Sequence, residues 1–253
     1  MQEDKYLIQF AYNYKKERIY IDDTVNEEYF CPICKEKLIA RKGDVNIHHF
    51  SHMKKSKCIM NNGNYMSEWH IKWQNKFSKD KREIIFEKDD EIRIADVFLK
   101  EKNIVIEFQH SPISVNEFNN RNKFYNSLGN KVIWVIDLLE QNDEEQIINE
   151  GKNYYKWLHP KKFLTYYDKK TNVEIYFNIS LNAAENKRII NIENKIKEKF
   201  ELGTQEEPWY YRHKKDKFLL VELDEIFRFD RTYFYTKNEF CSVEEFIEYI
   251  SNK

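Results

Sequence analysis

The sequence predicts a mixed α/β fold with three parts: a small cysteine- and histidine-bearing module, a mixed central sheet with helices on its faces, and a C-terminal α+β extension. Three observations carry this. Residues 92–99 and 104–109 alternate in polarity as strands do, with the polar residues 100–103 between them, which reads as a hairpin. Ser114 followed three residues on by Glu117 is a capping box, opening a helix that runs to about Leu128 and stops at Gly129. The continuous apolar run 131–136 follows, ending at Asp137, so strand, helix and buried strand form a crossover that makes the two strands parallel. The third observation is Cys31-x-x-Cys34 with further Cys and His downstream, in a stretch too small to stabilise itself by burial alone.

The chain divides accordingly into residues 1–62, 63–140 and 141–253. The middle part opens with Ser67 as N-cap and Glu68 in the first helical turn, where the helix dipole favours an anion and Lys72 lies four residues on. Trp69, Trp73 and Phe77 then form one helical face. In the crossover helix Phe118, Phe124, Tyr125 and Leu128 form the apolar stripe. Further on, residues 143–158 read as a helix, and 163–167 with 173–177 as a hairpin. Residues 187–202 read as an amphipathic helix stopped by Gly203, 218–222 as a strand and 243–250 as the last helix.

Charged residues make up 34% of the chain and aromatics 16%, so Tyr and Phe supply much of the core. No apolar run approaches the ~20 residues of a membrane helix, and the N-terminus lacks the apolar stretch of a signal peptide. A cytoplasmic protein without membrane contact is expected. The net charge of −1 gives no global basic signature, so nucleic-acid binding must rest on local clusters. Lys54, Lys55 and Lys57 form one, the lysines from Lys72 to Lys81 with Arg82 another, and Arg212 to Lys217 a third.

The hairpin carries the chemistry. If it is centred between Glu101 and Lys102, Asp96 faces Glu107 and Ile94 faces Gln109. Side chains two apart share a strand face, which puts Asp96, Glu107 and Gln109 on one side. Two carboxylates directly opposite repel, and a divalent cation removes that penalty. A hard ion such as Mg²⁺, which keeps several waters and takes one or two carboxylates, fits the pair. The bland account of each acid is a solvated face.

Near the N-terminus, Cys31, Cys34, His49, His52 and Cys58 compete for four positions of a structural zinc site. His52 with Cys58 is the preferred second pair, and His49 the alternative. A thioredoxin-like redox pair needs no downstream His or Cys, and a disulfide framework does not suit a reducing compartment.

These residues together resemble the CoiA-like competence-protein family, a branch of the PD-(D/E)XK nucleases. The matching stretches are Cys31-x-x-Cys34, the turn at Arg41 to Gly43, His49-x-x-His52, Cys58, Ser67-Glu68 with His70, Ala95-Asp96-Val97, Glu107-Phe108-Gln109-His110-Ser111 to Ser114, Arg121-x-x-x-Tyr125 and Gly129 to Asp137. They span residues 29–137 in unbroken order. The resemblance implies a metal-dependent nuclease core in which Asp96 and Glu107 bind Mg²⁺ or Mn²⁺, Glu68 adds a ligand from the first helix, and single- or double-stranded DNA is the substrate. The third motif position, usually Lys in that superfamily, is Gln109 here. A neutral amide orients water by hydrogen bonds but supplies no charge. Two other functions stand beside the nuclease: a non-catalytic DNA-binding module in transformation or recombination, and an anti-phage effector that acts only with a protein partner.

Overall fold

The computed structural model describes residues 8–44, 47–53, 57, 58, 60, 67–111, 113–138, 147–151, 153–157, 173–180, 218–228 and 232–253. The chain separates into two units, residues 1–73 and 74–253.

The N-terminal unit is built on a five-stranded sheet from β1 (Phe10–Tyr12), β2 (Arg18–Tyr20), β3 (Tyr29–Phe30), β4 (Lys37–Arg41) and β5 (His49–His52), in the order β2-β1-β3-β4-β5. Every pairing is antiparallel. Its strands are short, and its core is correspondingly small: Ile8, Phe10, Tyr29, Leu38 and Phe50 are buried, with Tyr29 and Phe50 rings 5.1 Å apart. Helix α1 (Glu68–Gln74) begins behind Ser67, whose hydroxyl accepts from the His70 N–H at 3.2 Å, the expected N-cap. Trp73 and Phe77 are buried, as the face predicted, although Phe77 lies past the last helical residue.

The larger unit is one nine-stranded mixed sheet. In chain order its strands are β6 (Arg82–Lys88), β7 (Glu91–Leu99), β8 (Ile104–Gln109), β9 (Lys131–Asp137), β10 (Ile147–Gly151), β11 (Tyr154–Trp157), β12 (Val173–Ser180), β13 (Phe218–Arg228) and β14 (Thr232–Phe240). Their spatial order is β10-β11-β14-β13-β12-β9-β8-β7-β6. β8, β9 and β12 are mutually parallel and form the buried centre, joined by antiparallel pairings on both sides. Because β9 bonds to β12, the sheet runs without a break across residue 140.

The predicted crossover is present. Helix α2 (Val115–Ser127) starts at Ser114, whose side chain accepts from Glu117 N–H at 3.2 Å, and ends at Gly129 with φ of 80°. That left-handed position is what glycine supplies without strain. Phe118, Phe124 and Tyr125 are buried beneath the helix, while Leu128, at its C-cap, is 37% exposed and less buried than the rest of the stripe. The α2 face is pinned to β9: Trp134 Nε1 donates to Asn122 Oδ1 at 2.8 Å, and the Phe118 and Trp134 rings stand 4.7 Å apart. Helix α3 (Val243–Asn252) adds a second layer through Phe246, which packs 4.9 Å from the ring of Tyr176. Tyr176 pairs with Val135, one residue out of phase with the Trp134 and Ile136 positions that join the α2 cluster. The two helices therefore cover opposite faces of the sheet.

The C-terminal third departs from expectation in several elements. Residues 143–158 were expected as a helix, yet β10 and β11 form an antiparallel hairpin there. Asn153 sits at φ of 58°, and the register shifts between Asn149 and Gly151. Residues 163–167 and 187–202 lie outside the described residues. β12 pairs with β9 and β13, and β13 extends well beyond the short strand expected at 218–222.

Candidate functional sites: an acidic pair on the central hairpin and a Cys/His cluster

The hairpin register is the one the turn predicted: Val97 pairs with Ile106, Phe98 with Val105 and Leu99 with Ile104. The polar turn is a short 3-10 segment, Lys100–Lys102, closed by Asn103 in the left-handed region at φ of 53°. The backbone ladder stops at Val97–Ile106, one residue short of Asp96 and Glu107. From there the Asp96 side chain takes over, its Oδ2 accepting the Phe108 N–H at 2.7 Å. Ile94 therefore does not pair with Gln109; it pairs with Ile85 on β6. The backbone N–H that would have extended the ladder is spent on a carboxylate.

Strand β8 is buried along its whole length, and Glu107 is 0% exposed. Burial, then the nearby charge of Asp96, raises its carboxyl to about 7, against the opposing pull of Arg121. Arg121, one helical turn past Glu117 on α2, donates from Nη1 to Glu107 Oε2 at 2.7 Å and from Nε to Glu117 Oε1 at 2.8 Å. Arg93 Nη1 donates to the same Glu117 oxygen at 2.9 Å. Burial opposes ionisation of Glu117, but Arg121 and Arg93 outweigh it and hold this carboxyl below its ordinary value. Tyr125 lies one further turn along α2, fully buried, its hydroxyl held well above its ordinary value by burial and then by Glu107.

One atom is left over. Glu107 Oε1 is buried and has no hydrogen-bond partner among the described residues. An unpartnered oxygen on a buried carboxylate costs free energy unless something positive meets it. With a second carboxylate beside it, the donor set is oxygen-only and anionic, which suits a hard divalent ion.

Gln109 is buried rather than solvent-facing, and its Nε2 donates to the Ser111 carbonyl. Glu68 belongs to the N-terminal unit, where its carboxylate is exposed and lies 3.9 Å from Lys72 Nζ. That is the helix-start charge and i,i+4 partner read from the sequence.

In the N-terminal unit the ligand atoms of Cys31, Cys34, His52 and Cys58 all lie within 4.8 Å of one another. Cys31 and Cys34 flank a turn between β3 and β4, where Cys31 N–H donates to the Glu36 carbonyl at 2.8 Å and Lys35 takes φ of 63°. His52 ends β5 opposite Leu38. Cys31 and Cys58 sulfurs stand 3.7 Å apart, and Cys34 Sγ lies 3.2 Å from His52 Nε2. Four ligands around zinc at a Zn–S bond of about 2.3 Å put neighbouring sulfurs about 3.8 Å apart, so the cluster has the dimensions of a tetrahedral site. Burial pushes the Cys31 thiol up to about 12 and raises Cys58, so thiolates there need a cation. Burial lowers His52, favouring the neutral imidazole that ligates.

Of the two histidines, His52 is in the cluster and His49 is not. They are three apart on a strand, so they point to opposite faces. His52 shares its face with the buried Phe50, while His49 Nδ1 meets the Ile47 carbonyl at 2.8 Å. The redox alternative fares poorly. The Cys31 thiol is raised, and the turn between two strands lacks the helix N-terminus that depresses a reactive cysteine. All four cysteines are free.

Comparison with known families bears on both sites. Residues 12–61 match the family model for the competence protein CoiA, N-terminal domain, and residues 87–208 match that for the competence protein CoiA, nuclease-like domain. The chain belongs to the CoiA-like competence protein family. No curated protein and no solved structure matches. The Cys/His cluster lies within the CoiA N-terminal match, and Asp96, Glu107 and Arg121 within the CoiA nuclease-like match.

The motif Arg121-x-x-x-Tyr125 does not by itself tell what either side chain does. The spacing carries a signal: Glu117 and Arg121 stand four apart and lead onto Tyr125 at the edge of the apolar stripe. A second pairing that the sequence does not signal joins His110 Nδ1 with Asp137 Oδ2 at 2.8 Å, across the ends of the parallel strands β8 and β9. No helix among the described residues is long and apolar enough to cross a membrane.

Proposed function

We propose that the protein is a metal-dependent DNA nuclease that hydrolyses phosphodiesters at Asp96 and Glu107 in the presence of Mg²⁺ or Mn²⁺. The observation that carries this reading is Glu107 Oε1, a buried and unpartnered carboxylate oxygen on the strand beside Asp96. Asp96 and Glu107 would hold the divalent ion, which when bound would supply Lewis-acid chemistry for phosphodiester hydrolysis. Asp96 contributes a carboxylate braced by the Phe108 N–H, and Glu107 one braced by Arg121. Gln109, on β8 two residues beyond Glu107, offers an amide oxygen that orients water by hydrogen bonding. Glu68 is the third ligand that the family resemblance implies, and its substitution is expected to be the mildest of the three. The Cys31, Cys34, His52 and Cys58 cluster holds a structural zinc.

The test is cleavage of single- and double-stranded DNA with Mg²⁺ or Mn²⁺ by the wild type and by Asp96→Ala and Glu107→Ala, with DNA affinity measured on the same proteins. Cleavage should vanish in either variant while DNA affinity stays within a few-fold of wild type. Metal-dependent cleavage that survives the double substitution overturns the assignment. A wild type that binds DNA and cuts nothing with any divalent ion favours a non-catalytic binding module.

A further inference from the structure

Arg121 is bound at both ends of its guanidinium group, by Glu107 Oε2 at 2.7 Å and by Glu117 Oε1 at 2.8 Å. Glu117 is itself held by Arg93, whose Nε meets Glu91 Oε1 at 2.6 Å. This chain of alternating charge starts on β7, crosses α2 and ends at one oxygen of Glu107. A planar guanidinium with two fixed partners has little freedom to swing, unlike an ammonium on a flexible stem. The consequence falls on Glu107. Its Oε2 accepts from Arg121, the Tyr125 hydroxyl also stands against the carboxylate, and its Oε1 accepts no hydrogen bond among the described residues.

We propose that Arg121 is a positioning residue that locks Glu107 to offer a single oxygen, Oε1, so that the acidic pair takes one divalent ion and Glu107 neither chelates it through both oxygens nor bridges two. This rests on the reading of Asp96 and Glu107 as the metal pair. The charges agree with one ion. Asp96, Glu107, Glu117 and Glu91 stand against Arg121 and Arg93, leaving two formal negative charges that one dication neutralises, and a second dication beside a fixed guanidinium would meet like charge at short range. Glu117 and Arg93 act at one remove, by holding the guanidinium in place.

The experiment is Mn²⁺ binding to the full chain by electron paramagnetic resonance and calorimetry, with Asp96→Ala/Glu107→Ala as the baseline for Mn²⁺ bound elsewhere. Thermal unfolding and DNA affinity are recorded alongside. Wild type should show one Mn²⁺ above that baseline. Arg121→Gln should weaken it tenfold or more or admit a second ion. Arg121→Lys, which keeps the charge but cannot span both partners, should recover part of the affinity. Glu117→Ala removes only the outer anchor at a side chain that is 38% exposed, so it tests the idea even if Arg121→Gln does not fold. It should weaken Mn²⁺ several-fold with unfolding temperature little changed. Folded Arg121→Lys and Glu117→Ala that both bind one Mn²⁺ with wild-type affinity overturn the inference while leaving the acidic pair intact. A wild type with no Mn²⁺ above the baseline overturns the metal reading itself.

Discussion

Glu107 sits where a carboxylate is least comfortable, fully buried on a central strand with a second acid beside it, and its two oxygens have different fates. Gln109, two residues on, is buried, and its Nε2 donates to the Ser111 carbonyl. A role at this position is then one of placement rather than charge. Removing one positioned hydrogen-bonding group costs about 10²–10³ in rate where it stabilises an oxyanion, and less where it only orients water. Gln109→Ala should therefore slow single-turnover cleavage by less than that range without changing Mn²⁺ affinity. Gln109→Lys, which brings a charge that can sit near phosphate, should keep some cleavage. Wild-type rates from Gln109→Ala would mean that the side chain merely fills a buried position. Strand parity puts Asp96 and Glu107 on one face, and in the structure the charge of Asp96 reaches the Glu107 carboxyl. The grip of Arg121 on one oxygen was not legible, because it depends on how α2 lies across β8, and spacing within one helix does not say that.

Elements whose polarity follows one period were readable, and those with mixed signals were not. β7, β8, α2 and β9 fall within a residue or two of expectation, because alternation, a capping serine and a glycine stop agree with one another. Residues 143–158 carry Ile147, Ile148, Tyr154, Tyr155 and Trp157, which suit either a helix face or two short strands. Gly151 and Asn153 decide it, since a left-handed Asn beside a bulge is turn chemistry. The last helix shows how such elements are tied down. Glu174 on β12 accepts from Lys131 of β9 and from Lys253 beyond α3. Burial alone would raise its carboxyl, but the two lysines outweigh it and hold it below the ordinary value of 4.5. A carboxyl lowered on folding stabilises the folded state above its unfolded pKa, and that stability fades as pH falls through the folded value. Thermal unfolding of wild type and Glu174→Gln should thus differ by a constant amount above about pH 5.5, one unit over the ordinary value, and converge below 4.5. A gap that persists undiminished well below that pH would assign Glu174 a packing role instead.

At the scale of the whole molecule, the two units differ in what holds them. The nine-stranded sheet buries a continuous cluster from Val105, Val132, Trp134, Ile175 and Phe177 through Phe118 and Tyr125. The five-stranded sheet has strands of two to five residues and a handful of buried side chains. So small a core is usually supplemented by a metal or a disulfide, and its four cysteine and histidine ligands converge with no disulfide formed. Zinc bound there would be folding free energy for the N-terminal unit, because the unfolded chain has no preformed site. The protein as purified should carry one zinc per chain. Chelation at neutral pH, or Cys31→Ser, should expose the amides of β1 to β5 to hydrogen exchange while β8, β9 and β12 stay protected. Acidification should release the ion in the same way, since protons compete for the thiolates. If β8 and β9 lose protection together with β1 to β5, the two units fold as one and the zinc supports the whole chain. If neither does, and no zinc is found, the convergence of Cys31, Cys34, His52 and Cys58 has another purpose.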